Sequence, residues 1–302
     1  MHKKIDVVIV TYNRLELLKK CVKAILMQTY PVENIFVIDN NSSDNTLLFL
    51  NKKAKENTKI VPVHLTQNIG GAGGFYTGLK CFIEKSKSDF VWIMDDDTIP
   101  TVNALEKLIS KTSIIQNFGF LSSNVKWQDG SPAVMNIPEP NLKWNELADK
   151  GLIRVNYASF VAILFSRKVI LEQGLPIKDF FIWGDDVEYT KRITNSEKKG
   201  YMVIDSLVEH KIKQNIATDI IAEQDVNRIK RYYYARRNTI YTMKHRYNKK
   251  EYFKWLVTSL IFEPFKILKF SKDKKLLRLK VSLKGTFAGF FFNPSIYEFR
   301  NK

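Results

Sequence analysis

Two clusters of carboxylates hold the reactive groups of this 302-residue chain. The first, Asp95-Asp96-Asp97, follows directly on the apolar run Phe90-Val91-Trp92-Ile93-Met94. Such a run reads as a strand buried on both faces of an α/β sheet. Three adjacent acids at its carboxyl end repel one another, at the edge where open α/β sheets hold ligands. A hard divalent cation with phosphate oxygens would offset them. A polar strand-to-loop cap, with Asp97 opening the next helix, is the plainer alternative. The second cluster is Asp185-Asp186 with Glu188, preceded by Phe180-Phe181-Ile182-Trp183-Gly184. Acids at a helix start can cap it and complement its dipole. They could equally supply a general base beneath an aromatic wall, one carboxylate raising or orienting the other while Trp183 stacks on a sugar face. His210 follows a strand expected to end near these acids. It suits either the missing place in a set of oxygen ligands or a structural role.

Positioning these groups takes a sheet whose strands end at one edge. Residues 4–10, 34–38 and 60–65 read as strands ahead of the one at Phe90, with helices between them. Leu15, Leu17, Leu18, Val22, Ile25 and Leu26 recur at helical spacing. Residues 39–46 are dense in turn and cap formers, with Ser43 or Asp44 as a helix cap. Residues 66–75 read as a glycine loop before a helix to about residue 86. This alternation predicts a parallel, doubly wound sheet with right-handed crossovers. Thr11, Asp39, Asn68 with the glycines, and Asp95 to Asp97 then line one crevice. The glycines suit close approach of backbone N–H groups to phosphate, yet match neither common phosphate-loop pattern. Asp39 could meet a ribose or base, or simply end a strand. Farther on, residues 101–111 read as a helix and 118–122 as a strand. Residues 126–150, with Trp127 and Trp144, read as an acceptor-side insertion or lid. A strand over 155–165, a helix over 167–173, a helix through Ile193 and a strand over 201–204 complete the first region.

With 45% hydrophobic and 26% charged residues the chain is globular, of a size for one large domain and an appendage. Cys21 and Cys81 read as reduced core thiols of a cytosolic protein. The N-terminus enters a strand without signal-peptide features, and no apolar run is long and charge-free enough to span a bilayer. The net charge of +17 is uneven: from Lys230 onward 19 Lys/Arg face four acids, while the first 229 residues carry only +2. That tail alternates bases with aromatics. Residues 252–270 look helical, are interrupted by Lys254, Lys266 and Lys269, and should kink at Pro264. Residues 276–292 repeat the mix. Such a segment fits an interfacial helix on anionic lipid, or a packed helix with a solvated basic face. Nucleic acid is the rival partner. A non-catalytic adaptor for nucleic acid or membrane leaves both acidic clusters unexplained, so no nucleic-acid partner is expected. A nucleotidyltransferase would share the metal-binding acids but would want a basic residue near the α-phosphate and no stacking Trp.

With these residues in view, the chain resembles the nucleotide-sugar glycosyltransferases of the inverting GT-A group, family 2 type. Within it, the likeness is to bacterial galactofuranosyl- and rhamnosyltransferases, over roughly residues 5–245. Val10 to Arg14 and Ile38 to Asp44 are similar to that family's uridine-binding strand ends. Asn68 to Phe75 resembles the glycine segment of galactofuranosyltransferases, and Asp95-Asp96-Asp97 resembles the Asp-x-Asp metal site. Trp183-Gly184-Asp185-Asp186-Val187-Glu188 is similar to the Trp-Asp-Asp-x-Glu catalytic segment, interrupted by Gly184. Tyr233 to Asn238 resembles the Arg-Asn segment that follows it. The resemblance implies a GT-A, Rossmann-like, doubly wound, mostly parallel sheet over residues 1–228, and the tail's own composition a basic-aromatic helical region over 229–302. It implies a UDP-sugar held by Thr11, Arg14, Asp39, Asn68, Gly71, Gly74, Asp95 and Asp96. Mn²⁺ or Mg²⁺ would lie on Asp95, Asp97 and His210. Asp186 would be the base, with Asp185 beside it, and Trp183 and Glu188 would meet the acceptor. The implied reaction is inverting transfer of galactofuranose from UDP-galactofuranose, or else of rhamnose from dTDP-rhamnose, to a glycan or polyprenol-linked acceptor in cell-surface polysaccharide synthesis. The enzyme would be cytoplasmic, peripheral at the inner face of the cell membrane.

Overall fold

Burial on both faces explains the unbroken apolar runs. Every residue of β1 (Ile5–Thr11) is buried: Val7 and Ile9 enter one hydrophobic core, Val8 and Val10 a second on the opposite face. The computed structural model describes residues 2–115 and 117–299. After β1 come α1 (Leu15–Leu26), β2 (Ile35–Asp39), α2 (Thr46–Glu56), β3 (Ile60–His64), α3 (Gly70–Lys85) and β4 (Phe90–Asp95). The four strands pair in parallel in the order β3-β2-β1-β4. The chain therefore steps outward from β1 to β3, then returns to lay β4 on the other side of β1. That reversal opens a crevice at the carboxyl ends of β1 and β4. Register levels the reactive residues there: Thr11 lies opposite Asp39, Val10 opposite Asp95, and Asp39 opposite His64.

Beyond β4 the strand order is mixed. The elements are β5 (Thr98–Pro100), α4 (Ala104–Lys111), β6 (Phe118–Lys126), β7 (Glu139–Pro140), β8 (Leu152–Tyr157), β9 (Ile163–Ser166), α5 (Arg167–Gln173), α6 (Asp185–Asn195) and β10 (Lys199–His210). β9 lies antiparallel between β4 and β6, β10 runs parallel to β6, and β8 with β7 finishes the far edge. β5 turns back from Asp97 and pairs antiparallel with the end of β10. The expected strand over 155–165 is therefore two strands, parted by a bend in which Ala162 takes a φ of 56°. The helix expected from residue 101 begins only at Ala104, because β5 takes the chain before it. Within the 126–150 stretch, Trp127 is tied by its indole N–H to the Ile212 carbonyl at 2.9 Å.

The glycine stretch also differs from expectation. Residues 70–74 are the first turns of α3 rather than a loop. A Cβ on Gly74 would stand 2.5 Å from Val10 Cγ1. Gly74, expected at the donor, instead lets α3 close on β1.

The basic region is helical: α7 (Val226–Arg246), α8 (Lys249–Val257), a π-helical turn (Thr258–Phe262), α9 (Glu263–Phe270) and α10 (Lys275–Phe291). Pro264 lies inside an unbroken helical run just after that π-helical turn, so the expected kink is a widened turn. α10 packs along α7. Among the described residues no helix is long and apolar enough to cross a membrane.

Gly74→Ala should lower stability by about 1–3 kcal/mol, despite alanine's better helix propensity, because β-branched Val10 cannot swing aside. Adding Val10→Ala should recover part of the loss. A favourable coupling energy in denaturant unfolding checks this.

Candidate active site

The turn after β4 sends its three carboxylates in different directions. Asp96 points inward: its Oδ2 accepts the Thr11 hydroxyl at 2.7 Å, and Arg14 Nη1 lies 3.4 Å from its Oδ1. Thr11 and Asp96, both expected at the donor, are buried against each other instead. Asp97 accepts from Arg14 Nη1 at 2.5 Å through Oδ2 and faces His210 Nε2 at 3.1 Å through Oδ1. His210 arrives there because β5 sets it opposite Thr98, and the Lys211 N–H donates to the Asp97 carbonyl at 2.8 Å. Its far nitrogen, Nδ1, donates to Asn136 Oδ1 at 2.7 Å. That amide is oriented in turn, since its Nδ2 donates to Ser159 Oγ at 3.0 Å.

The corner is short of positive charge. Burial raises the Asp95 carboxyl well above the ordinary range, and Asp97 and Asp96 raise it further. Burial lifts Asp96 to about 6 against the pull of Arg14. Asp97 falls below its usual value because His210 and Arg14 outweigh its burial. Burial also works against the Arg14 charge, but Asp97, Asp96 and Asp95 prevail and its proton is held more tightly than usual. Carboxylate oxygens with one imidazole, its other N–H anchored on a neutral amide, suit Mn²⁺ or Mg²⁺. Among the described residues no three such side chains are already gathered around one point. Arg14 bridges Asp96 and Asp97 instead.

Along the neighbouring strand ends, buried Asp39 accepts the Ser42 N–H at 2.9 Å and lies 2.8 Å from His64 Nδ1. Asn40 accepts the Ile69 N–H at 2.9 Å and donates to the Gly70 carbonyl at 3.0 Å, joining this edge to α3. Asn68 caps the Gly70 N–H at 2.9 Å. Gly71 is half-buried, with open space where a side chain would begin.

The second cluster hangs on a constrained loop. Phe181, Trp183 and Gly184 have φ values of 65°, 63° and 89°, a region that costs a bulky residue roughly 1–2 kcal/mol. Asn238, buried on α7, holds the loop by donating Nδ2 to the carbonyls of Phe180, Ile182 and Trp183 at 2.9, 3.2 and 2.8 Å. Arg237 donates to the carbonyls of Asp179 and Phe180 at 2.6 and 3.2 Å. On the other side the Phe181 carbonyl accepts the Ala72 N–H at 3.2 Å, and a Cβ on Gly70 would stand 1.9 Å from that oxygen. The glycine segment thus braces this loop, with one of its N–H groups already spent. Trp183 lies edge-to-face on Tyr232 with centroids 5.0 Å apart.

Gly184 opens α6, and Asp185 follows, buried. Burial first and Asp186 second raise the Asp185 carboxyl to about 8. Burial lifts Asp186 to about 6, while the N–H groups of Val187 and Phe160 hold it back. Both carboxyls are pushed up and Asp185 the further, environments suited to divided acid and base roles. Asp185 is among the charges that raise Asp95, so the two clusters lie within electrostatic reach.

Glu188 is a correction. Expected at the acceptor, it is wholly buried and neutralised by Arg192 at 2.9 Å and Arg246 at 2.6 Å, which clamps α6 to α7. The structure thus brings Arg14, Asp97 and His210 together beside Asp95, with Trp183, Asp185 and Asp186 on the braced loop and helix start. Three contributors escaped the sequence reading. Asn136 lies in a stretch without a motif. Asn238 was visible only as part of a resemblance. His64 did carry a signal, since it ends the strand beside the one ending in Asp39.

Residues 6–170 match the family model of glycosyl transferase family 2. The chain is similar to galactofuranosyltransferase GlfT1 of Mycolicibacterium smegmatis, 24% identical over 63% of this chain and 65% of that protein. It is 29% identical to glycosyltransferase AglE of Haloferax volcanii over 64% of this chain and 62% of that one. GalNAc(5)-diNAcBac-PP-undecaprenol beta-1,3-glucosyltransferase of Campylobacter jejuni is 33% identical over 36% of this chain and 35% of its own. The matched stretch therefore spans less than two thirds of each relative. A solved structure of GalNAc-T7 with UDP, GalNAc and Mn²⁺ superposes with a TM-score of 0.63 at 15% identity, over 92% of this chain and 54% of that one. This is a likeness of fold.

Folding raises the Asp185 carboxyl from 3.8 to about 8 and so favours its protonated form. The stability linked to this group is present below pH 3.8 and is lost as pH rises through about 8. Asp185→Asn keeps the neutral shape. It should stabilise the metal-free chain near pH 9 by at least about 1 kcal/mol and flatten the pH dependence of denaturant unfolding. Identical pH profiles for the two proteins would contradict this.

Proposed function

We propose a donor, an acceptor and a base for this chain, which belongs to glycosyl transferase family 2. It is a metal-dependent inverting glycosyltransferase that moves galactofuranose from UDP-galactofuranose to a glycan or polyprenol-linked acceptor of a cell-surface polysaccharide. The mycobacterial relative's name and the segment from Asn68 to Phe75 support the donor. The undecaprenol in the Campylobacter relative's name supports a lipid-linked acceptor. Such an acceptor would bring the chain to the inner face of the cell membrane. Buried, unpaired Cys21 and Cys81 suit the reducing cytoplasmic side.

Asp95, Asp97 and His210 would hold Mn²⁺ or Mg²⁺, which when bound neutralises charge developing on the leaving diphosphate. Arg14, already drawn to Asp97, adds a second positive charge at the same place. Asp39 ends a strand where the uridine would lie. The acceptor hydroxyl attacks the anomeric carbon while Asp186 takes its proton. The bond from that carbon to the diphosphate oxygen breaks, and UDP leaves with the electron pair. A single displacement with no enzyme nucleophile inverts the anomeric centre. Asp185, whose burial favours its protonated form, spares Asp186 a neighbouring charge. Trp183 offers a ring to the acceptor sugar.

The observation that carries this reading is the loop before α6, which Asn238 and the Ala72 N–H hold so that Asp185 and Asp186 open α6 within electrostatic reach of the Asp95 corner, where Arg14 and His210 meet Asp97. The experiment supplies UDP-galactofuranose and Mn²⁺ and follows UDP release with a galactan or polyprenol-linked acceptor. Asp186→Asn should cut kcat by about 10²-fold or more while leaving the donor KM near wild type. The wild-type rate should fall about ten-fold per pH unit below about 6. Undiminished turnover by Asp186→Asn would refute the assignment.

A further inference from the structure

The helices after α7 carry a face that the fold leaves uncovered. Phe253, Ile261, Phe265, Leu276, Phe287 and Phe291 are 54–89% exposed. On α10 the exposed side chains recur as Leu276, Lys280, Lys284, Phe287 and Phe291, a spacing of three to four that lines one side of the helix. On α9, Phe265 and Leu268 alternate with exposed Lys266 and Lys269. Residues 249–291 hold 11 Lys/Arg against three acids, a net of +8. Two of those acids are already committed, Glu263 to Arg236 and Asp273 to Arg278 and Lys274. The opposite side of these helices is packed: buried Ile267, with Leu279 and Val281, joins Tyr232 and Trp183 in one apolar cluster.

Rings interleaved with ammonium groups suit a lipid interface. The apolar groups enter the acyl boundary and the lysine heads stay at the level of the phosphates. A second copy of the chain would set +8 against +8. Nucleic acid would find flat rings to stack on, but aliphatic Ile261, Leu268 and Leu276 offer it nothing. We infer that the exposed face of α8 to α10 docks the chain on an anionic bilayer, with Trp183 on the reverse side of the same helices. The purpose of this surface rests on the proposed lipid-linked acceptor; the surface itself rests on its own residues.

The test sediments the full chain with phosphatidylcholine vesicles, with and without phosphatidylglycerol, at low and high salt. The chain should pellet only with the anionic vesicles and be released by salt. Replacing Lys266, Lys269, Lys280 and Lys284 by Gln should weaken binding about five-fold per lysine. Phe265→Ser with Phe287→Ser should weaken it about ten-fold or more without changing the salt dependence. UDP release in solution should be unchanged in both variants, which shows that the fold survives. If the wild-type chain releases no UDP, the transferase reading fails and the vesicle result still stands. Pelleting indifferent to lipid charge, no pelleting, an oligonucleotide bound in place of vesicles, or dimers dissolved by the phenylalanine changes would each overturn the docking surface.

Discussion

Repulsion between carboxylates removed from water is the constraint on which the rest of this structure depends. Two like charges a few ångströms apart cost several times more in a buried crevice than in solvent. The turn after β4 nevertheless keeps three of them together. The fold answers with two nitrogen-bearing side chains brought from distant sequence. Arg14 comes from the turn after β1 and bridges Asp96 and Asp97. His210 comes from the end of β10, led to Asp97 by the three residues of β5. Asp95 is left well above the ordinary carboxylate range by its burial and by Asp97 and Asp96 beside it.

A second constraint lies in the loop before α6. Phe181 and Trp183 hold left-handed backbone that they would not adopt alone. They are kept there from both sides, by the start of α3 and by Asn238 and Arg237 of α7. The basic region is therefore no loose appendage at its beginning. α7 forms one wall of the site, and Arg246 at its far end neutralises Glu188. The later helices lean on α7 and on Trp183, so one apolar cluster separates the loop before α6 from the exposed basic and aromatic face.

The parts legible in the sequence are those where one segment alone fixes the outcome. β1 to β4 could be read because strands covered on both faces show unbroken apolar runs, and their shared edge follows from parallel pairing. The two acidic clusters could be read because adjacent like charges at element ends demand an explanation. What could not be read depends on a distant partner. Gly74 shows its role only against Val10, and Gly70 only against the Phe181 carbonyl. Glu188 looked available for substrate until Arg246, far along the chain, took its charge. β5 is too short for any periodicity, and the single strand expected over 155–165 hid a bend at Ala162. Where a kink was expected at Pro264, the chain has a π-helical turn just ahead of it, packed against α10.

Calorimetric titration of UDP, with Mn²⁺ and again with a chelator, shows whether the acidic corner holds a diphosphate through a metal ion. The crevice at the ends of β1 and β4 should bind UDP with Mn²⁺ present. Chelation or Asp97→Asn should weaken that binding about ten-fold or more. UDP binding that ignores both the metal and Asp97, or no binding at all, would contradict the account.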